Sequence, residues 1–298
     1  MEPTPLPRLR VPAGAAHLAR WADTDSVPVQ DRARKESDVM SKRCHALTGV
    51  ALAIAAVLAL PTWSFAQVKV IISGGFAPAY RAVLPEFERT TGITVTTGSG
   101  ASQGNGADTI GAQLGRGVPA DVVIMSREGL SELIAAGRIL AGSDINLAQT
   151  PLGMGVHAGR PKPEIRTVEA FTQMLLRAKS VASASTSGIY LTTELFPRLG
   201  IANKITVKVT NRGAEAAALV ASGDAEVAVL PVSELLEVPG VDFVGPIPAE
   251  IQNVMVFAAA VTAGSKEPEA SKRLIAYLSS DGALAAIRKS GMEPARRR

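Results

Sequence analysis

Residues 68–75 read Val-Lys-Val-Ile-Ile-Ser-Gly-Gly, and this stretch decides the fold class. Its first five residues form a short apolar run, which is typical of a buried strand, and the Ser-Gly-Gly that follows favours a turn. Residues 76–91 then place apolar side chains at helical spacing, and Gly92 predicts the end of that helix. The stretch therefore predicts a strand, a turn and a helix, which together begin a βαβ unit.

The same alternation continues along the chain. Further strands are predicted at residues 93–97, 121–125, 181–184, 205–209 and 226–230, and helices at 109–114, 129–136, 168–178, 189–199, 214–221 and 268–289. Two long extended runs, 145–156 and 251–261, flank the central block. The predicted fold is α/β, with mainly parallel sheets in two lobes that are joined by two crossing strands. Residues 67–150 and 251–298 are assigned to lobe 1 and residues 151–250 to lobe 2.

The first 66 residues are interpreted as a leader. Two basic residues precede an apolar run (46–60), and Ser-Phe-Ala at 64–66 supplies a cleavage site, which is typical of a secretory signal peptide. The apolar run is shorter than the roughly 20 residues of a membrane span, which disfavours the alternative of a transmembrane anchor. Residues 40–66 are therefore interpreted as the signal peptide of a periplasmic protein. Residues 1–39 are interpreted as an untranslated or disordered extension upstream of a true start at Met40.

The charge pattern excludes one class of partner. The 298 residues include 31 Lys and Arg and 27 Asp and Glu, of which 8 and 6, respectively, lie in residues 1–66. Residues 67–298 are left with a net charge of +2 and with no basic run before the last three arginines. Nucleic-acid binding needs a concentrated positive face, so no nucleic-acid partner is expected.

Known catalytic motifs are missing from the sequence. There is no phosphate-binding loop, no dinucleotide-binding glycine motif, no nucleophile elbow and no His-Glu-x-x-His zinc motif. The single cysteine, Cys44, lies in the leader, so the mature chain has no thiol nucleophile. His157 lies on a predicted extended run between the lobes and is interpreted as structural or solvent-facing. The sequence therefore predicts no catalytic residue, no metal site and no cofactor, and the protein is not expected to be an enzyme.

Four predicted strands end in small hydroxyl or glycine residues just before a helix. These loops are Ser73-Gly74-Gly75, Ser99-Gly100-Ala101-Ser102, Ser185-Thr186-Ser187-Gly188 and Asn211-Arg212-Gly213. In an α/β sheet such loops lie together at the carboxyl edge, which is the usual ligand crevice, and free N–H groups at helix starts favour an anion. Each loop alone is also an ordinary turn or helix cap. Four of them in two lobes predict a cleft for a small anion.

Further segments carry a family resemblance. They are Pro-Glu-Phe-Glu at 85–88, Gly-Val-Pro-Ala-Asp-Val at 117–122, Ser-Gly-Ile-Tyr at 187–190 and the late strand and turn at 225–234. In this order, and after the signal peptide and the first Ser-Gly-Gly, they resemble the periplasmic molybdate-binding proteins of ABC importers. The likeness spans nearly all of residues 67–293. It implies a type II periplasmic binding fold that closes by hinge motion, a small anionic ligand, an ABC permease of the inner membrane as partner, and a monomer.

The resemblance also implies how an oxyanion would be held. The family uses a serine in each of the first two loops, backbone amides in lobe 2 and a tyrosine hydroxyl on the late strand. In this chain these positions fall at Gly75 or Ser73, at Ser102, at Ser187 and Asn211, and at Leu230, which is followed by Pro231. Together with the loops, this gives the candidate ligand-binding residues Ser73, Gly74, Gly75, Ser99, Ser102, Ser187, Tyr190, Asn211, Arg212 and Leu230.

The ligand itself stays open between two classes. Leu230 offers no hydroxyl, and a buried divalent oxyanion that lacks a donor is penalised. Arg212 can bind a planar carboxylate through both arms of its guanidinium, which slightly favours an organic carboxylate over molybdate. The leading function is a solute receptor of an ABC importer. A secreted hydrolase or lyase with a non-standard serine site, and a sensory or adhesive binding module, are the alternatives.

Overall fold

The computed structural model describes residues 66–236 and 238–296. The strands in this part of the chain are β1 (Gln67–Ile72), β2 (Thr94–Ser99), β3 (Val122–Ser126), β4 (Ile145–Thr150), β5 (Leu152–His157), β6 (Val181–Ala184), β7 (Val207–Thr210), β8 (Val227–Pro231), β9 (Val241–Pro246), β10 (Met255–Val261) and β11 (Glu293–Pro294). The helices are α1 (Ala77–Thr91), α2 (Ile110–Gly115), α3 (Arg127–Ala135), α4 (Val168–Arg177), α5 (Ser185–Tyr190), α6 (Phe196–Arg198), α7 (Gly213–Ala221), α8 (Pro268–Leu278) and α9 (Leu284–Lys289). The predicted extension (1–39) and almost all of the predicted signal peptide (40–66) lie outside the described residues.

The strands form two sheets. The first has the order β11-β4-β10-β3-β1-β2 and the second the order β7-β6-β8-β5-β9. In the first sheet β1 runs parallel to β2 and β3, and β10 runs antiparallel to β3 and β4. In the second sheet β6 runs parallel to β7 and β8, and β5 runs antiparallel to β8 and β9. The predicted α/β fold class with two sheets is confirmed. The sheets are mixed and not mainly parallel as expected, because β4, β5, β9, β10 and β11 pair antiparallel.

The chain passes between the sheets twice. Pro151 alone separates β4 in the first sheet from β5 in the second, and residues 247–254 make the return. The side chain of Gln252 fastens the two passages together, because Leu152 N donates to its Oε1 (2.6 Å) and its Nε2 donates to Leu152 O (3.0 Å). The lobe boundaries at residues 150 and 250 stay predictions, since the sheets assign strands and not the residues between them.

Apolar layers cover both faces of the sheets. In β1, Val70 and Ile72 belong to one layer with Phe87 of α1, whereas Ile71 belongs to another layer with Ile110 of α2. Burial on both faces explains why this strand is continuously apolar instead of alternating. Two further layers enclose the second sheet in the same way.

Asp121, in the Pro-Ala-Asp-Val segment, fastens the first sheet together. It precedes β3 and accepts hydrogen bonds from the backbone N–H groups of Lys69 and Lys266 and from the hydroxyl of Ser265, each at 2.9 Å. Burial opposes ionisation, but these hydrogen bonds hold the pKa of Asp121 below its ordinary value. This segment of the resemblance therefore serves the scaffold, at the opposite end of β3 from Ser126.

Some elements differ from the sequence expectations. Helix α5 begins at Ser185, so the segment expected as a loop is the first turn of a helix that continues through a π turn (Leu191–Leu195) into α6. The sequence does not predict β9, whose Asp, Gly and Pro residues resemble a turn, nor the two-residue β11. A proline is tolerated in β9 because that strand lies at the edge of its sheet. Within the described residues, the helices are too short or too polar to cross a membrane.

Candidate ligand-binding cleft

The loops that follow the parallel strands of both sheets face one another across a cleft. The first sheet contributes the loops after β1, β2 and β3, and the second contributes the starts of α5 and α7 and the turn after β8. The described lining residues are Ser73, Gly74, Gly75, Gly100, Ala101, Ser102, Ser126, Ala184, Ser185, Thr186, Ser187, Asn211, Arg212, Gly213, Pro231, Glu234, Met255 and Phe257. The enclosed volume is about 30 Å³, which holds only a few water molecules, so the cleft is closed in this structure.

Three serines line the side of the cleft that belongs to the first sheet. Ser73 continues the β-ladder through its N–H, which donates to Ile124 O (2.8 Å), but its buried hydroxyl has no hydrogen-bond partner in the described part of the chain. Ser126 N donates to Ser102 Oγ (2.9 Å), and Gly129 N donates to Ser126 Oγ (3.3 Å). Because a hydroxyl can donate and accept at once, Ser102 keeps a free donor.

Hydrogen bonds join the two sides of the cleft. The cross-cleft pairs are Ser126–Thr186 (2.9 Å), Gln103–Ser185 (3.1 Å), Asp108–Asn211 (2.8 Å) and Ser99–Arg212 (3.2 Å). Ser185 has a φ of 45°, the single positive value at a non-glycine position among the described residues. Backbone strain of this kind concentrates at ligand clamps and switch regions. The strained residue is here one of those that close the cleft.

Arg212 stands at the start of α7 and is half-exposed. Its Nε and Nη2 face Glu215 Oε1 at 2.9 and 2.8 Å, and its Nη1 donates to Ser99 Oγ. The edge of the guanidinium that was expected to bind a ligand carboxylate, formed by Nε and Nη2, therefore binds the Glu215 carboxylate of α7. A ligand reaches Arg212 through Nη1 or in competition with Glu215.

Glu234 is a lining residue that the sequence analysis does not single out. It ends the 3₁₀ turn Val232–Glu234 after β8, and its carboxyl group fills the space beside Gly74 and Gly213, where a Cβ on either glycine would overlap it. No cation among the described residues pairs with it, and burial raises the pKa of Glu234 from 4.5 to about 7. A carboxyl group that is partly protonated near neutral pH therefore lies between the two sheets.

The structure brings most of the predicted site residues together. Those that line the cleft are Ser73, Gly74, Gly75, Ser102, Ser187, Asn211 and Arg212. Ser99 lies at the rim, where its hydroxyl accepts from Arg212.

Tyr190 and Leu230 lie outside the cleft lining. The Tyr190 hydroxyl is buried and donates to Ile251 O (3.0 Å), so it ties α5 to the return passage between the sheets. Leu230 is fully buried in the apolar layer that contains Ala216, and the next residue, Pro231, lines the cleft. Because side chains alternate along a strand, the position that the resemblance gives to a tyrosine points into the core here.

Gly75 cannot carry the serine that the resemblance implies in the first loop. A Cβ at Gly75 would overlap the ring of Phe257, which occupies that space. The first-loop hydroxyl is therefore the one on Ser73.

Sequence reasoning missed two polar lining residues, Ser126 and Glu234, and it named Ser185 and Thr186 only as parts of a candidate loop. Ser126 ends a strand just before a helix, so the signal that identified the other loops applies to it as well. Glu234 carried no signal, because a carboxyl group is not expected in a cleft for anions. No group of three or more His, Cys, Asp or Glu residues that could hold a metal ion occurs in the described part of the chain.

Comparison with known proteins identifies the family. Residues 68–293 match the family described as bacterial extracellular solute-binding protein. The chain belongs to the bacterial extracellular solute-binding proteins. The predicted resemblance to periplasmic binding proteins is thereby confirmed.

One relative of this solute-binding protein is an aconitate isomerase from a Pseudomonas species. The two are 37% identical over 257 residues, which cover 86% of this chain and 98% of the relative. A solved periplasmic molybdate-binding protein of Azotobacter vinelandii is 19% identical with a TM-score of 0.60, covering 78% of this chain and 100% of that one. A solved sulfate-binding protein of Mycobacterium tuberculosis is 22% identical with a TM-score of 0.62, covering 77% and 87%. At these identities the two structures show the shared fold alone.

Proposed function

We propose that this solute-binding protein binds an unsaturated tricarboxylate of the aconitate type in its cleft and interconverts the cis and trans isomers. The observation that carries the proposal is the Ser73 hydroxyl, which lines the cleft, is buried and lacks a hydrogen-bond partner among the described residues. A buried hydroxyl without a partner costs about 1–3 kcal/mol. An acceptor atom of a bound anion would remove that cost.

The other lining groups suit a small carboxylate. Ser102, Ser126 and Thr186 offer neutral hydroxyls, and Arg212 adds a positive charge at the rim. Carboxylate oxygens accept hydrogen bonds from both kinds of donor. The relative named aconitate isomerase supports a tricarboxylate over an inorganic oxyanion, because its identity of 37% well exceeds the 19% and 22% of the molybdate- and sulfate-binding structures.

The same relative supports catalysis, whereas the sequence analysis expects a receptor without catalytic residues. Interconversion of cis- and trans-aconitate leaves the atomic composition and the oxidation state of the acid unchanged. It requires a site that binds the acid, excludes water and lets the double bond rearrange. Closure of the two walls over the bound acid would meet the second requirement, and the cross-cleft hydrogen bonds show that the walls can approach each other.

A tricarboxylate is much larger than this closed volume, so binding requires the two sheets to move apart. The cross-cleft pairs, Ser126–Thr186 among them, must break, and the passages at Pro151 and at residues 247–254 serve as the hinge. Closure over the ligand then brings the donors of both sheets onto it.

The test is to incubate the protein with cis-aconitate and follow the vinyl and methylene protons by NMR. We expect trans-aconitate to accumulate and the melting temperature to rise with ligand concentration. Ser73→Ala should weaken binding by about 5- to 150-fold, which corresponds to the loss of one buried hydrogen bond. Ser131→Ala is the matched control, because Ser131 lies on the exposed side of α3. Failure of the protein to convert either isomer would contradict the proposal.

The second candidate is a periplasmic receptor that delivers a small anion to an ABC permease of the inner membrane. The family match over residues 68–293 favours it. Tight binding of aconitate, molybdate or another anion without any conversion would select this candidate. Amino-terminal sequencing of the exported protein would test the predicted signal peptide.

A further inference from the structure

We propose that Glu234 is the catalytic residue that takes up and returns the proton during isomerisation. The inference rests on the proposed function and assigns its chemistry to one carboxyl group. Glu234 lines the cleft at the turn after β8, on the wall that belongs to the second sheet. Its carboxyl group lies against Gly74 from the first sheet and Gly213 from the second, so it reaches the place where the two walls meet.

The two glycines make this position possible. Neither has a positive φ, so the backbone alone would accept a side chain at both places. What a Cβ would meet at Gly74 and at Gly213 is the carboxyl group of Glu234. Two segments that are far apart in the chain therefore each have a glycine at the point where this carboxyl group reaches the cleft.

The alternatives for a proton-transfer group are few. Arg212 and Glu234 are the ionisable side chains among the described lining residues, and a guanidinium does not give up its proton at usable pH. His157 lies at the end of β5 away from the passage at Pro151 and is not part of the lining. Serine and threonine hydroxyls can take up a proton only when an adjacent base activates them. Glu234 is the lining group that can serve as base and acid in turn.

The chemistry balances with this single group. Aconitate has a methylene carbon and a vinyl carbon on either side of its central carbon, and each of the three bears a carboxylate. The Glu234 carboxylate takes a proton from the methylene carbon, and the electron pair of the broken C–H bond is delocalised over the three carbons and their carboxylates. The new carboxyl O–H then breaks, and its proton forms a C–H bond at the former vinyl carbon.

The product is again aconitate, because the two ends of the carbon skeleton are equivalent. The double bond has moved by one place, and the conformation of the bound acid sets whether it is cis or trans. No oxidant, reductant or water is consumed. One carboxyl group that reaches both end carbons is sufficient for the reaction.

The surroundings of Glu234 suit this role. Its turn packs against the 3₁₀ turn Gly74–Phe76, α7 and β5. The titratable groups on these elements are Glu215 of α7, which pairs with Arg212 at the start of that helix, and His157 at the end of β5. Burial raises the pKa of Glu234 to about 7, which supports the assignment because a group titrating near neutral pH serves well both as a base and as an acid.

The experiment uses the full chain with Glu234→Gln, Glu234→Asp and the control Glu169→Gln. Glu169 is exposed, lies in the first turn of α4 and does not line the cleft. Circular dichroism first establishes that each variant folds. Calorimetry with cis-aconitate then gives binding, and NMR gives kcat and kcat/KM across pH.

We expect Glu234→Gln to bind cis-aconitate within a few-fold of the wild type and to lose roughly 10²–10⁴-fold in kcat, which is the usual contribution of general acid–base catalysis. The wild type should show a rise in kcat/KM through about pH 7, which any residual activity of Glu234→Gln should lack, and Glu234→Asp should keep part of the rate. Glu169→Gln should match the wild type.

Two results would overturn the assignment and leave the proposed function standing. One is wild-type kcat in Glu234→Gln, and the other is a loss confined to KM with an unchanged pH profile. An inactive wild-type protein would refute the proposed function itself, and the assignment with it. The wild-type assay therefore distinguishes the two failures.

Discussion

Replacing Glu234 by glutamine should change how the stability of the protein depends on pH. Glutamine keeps the size of the side chain and resembles the protonated acid. In the folded protein burial raises the pKa of Glu234 from 4.5 to about 7. Because one pKa unit corresponds to about 1.4 kcal/mol, ionising this group costs the folded state up to ~3 kcal/mol relative to the unfolded chain. The side chain is partly exposed, so solvent screening makes this value an upper bound.

The direction follows from comparing the two states. Below pH 4.5 the acid is protonated in both states, and its stabilising contribution is complete. Between pH 4.5 and about 7 the unfolded chain releases the proton while the folded protein keeps it, so the free energy of unfolding decreases as pH rises. Above about pH 7 the loss is complete. Glu234→Gln should therefore equal the wild type in acid and be more stable than it at alkaline pH.

The measurement is urea unfolding of the wild type and Glu234→Gln, followed by circular dichroism from about pH 4 to about pH 8. Circular dichroism is used because the described part of the chain contains no tryptophan. Glu169→Gln controls for the loss of an exposed negative charge. If the two unfolding free energies differ by a constant amount across this range, the carboxyl group is solvated and the reasoning from burial is wrong.

Substitutions at four residues test the cleft and the scaffold. Ser73→Ala should weaken aconitate binding in calorimetry without lowering the melting temperature, because the Ser73 hydroxyl has no hydrogen-bond partner to lose among the described residues. Ser102→Ala should also destabilise the protein by about 1–3 kcal/mol, because Ser126 N–H loses its acceptor. Equal melting temperatures for the two variants would contradict this difference. Arg212→Ala should weaken the binding of organic acids, because it removes the positive charge and the Nη1 donor at the rim. Tight molybdate binding that survives this substitution without a response to organic acids would contradict a carboxylate ligand. Leu230→Tyr should overpack the core and cost about 1–3 kcal/mol of stability in denaturant unfolding, and a gain in molybdate affinity would show that this side chain faces the cleft.

The order of strands and helices was predictable because the central strands are buried on both faces. A run such as residues 68–72 is then apolar throughout and stands out against the helical spacing of α1. Strand β9 was not predictable, because it is an edge strand that carries turn-forming residues and depends on its pairing with β5. Helix α5 begins with small polar residues that favour caps over helices, and its first turn is held by hydrogen bonds from across the cleft.

The candidate site was predictable only where topology determines it. Parallel strands end at one edge of a sheet, so hydroxyls that follow them, such as those of Ser73 and Ser102, converge whatever their neighbours are. Tyr190 matched a family motif, yet its direction is set by the carbonyl of Ile251, a long-range partner that the motif does not record. Glu234 lies in a short polar turn, and its burial depends on two distant glycines that make room for it.

Glu234 also separates the two candidate functions on physical grounds. A receptor for an ionised solute gains affinity from neutral donors and positive charge, and a carboxylate in the same cleft opposes that gain once it ionises above about pH 7. If the protein is a receptor, its cleft binds an anion beside Glu234 only while Glu234 or the ligand carries a proton. An isomerase requires such a group, because the proton must leave one carbon and return to another. A carboxyl group placed against both walls, with no ion-pair partner in the described residues, is therefore a cost to a receptor and a necessity for a proton-transfer enzyme.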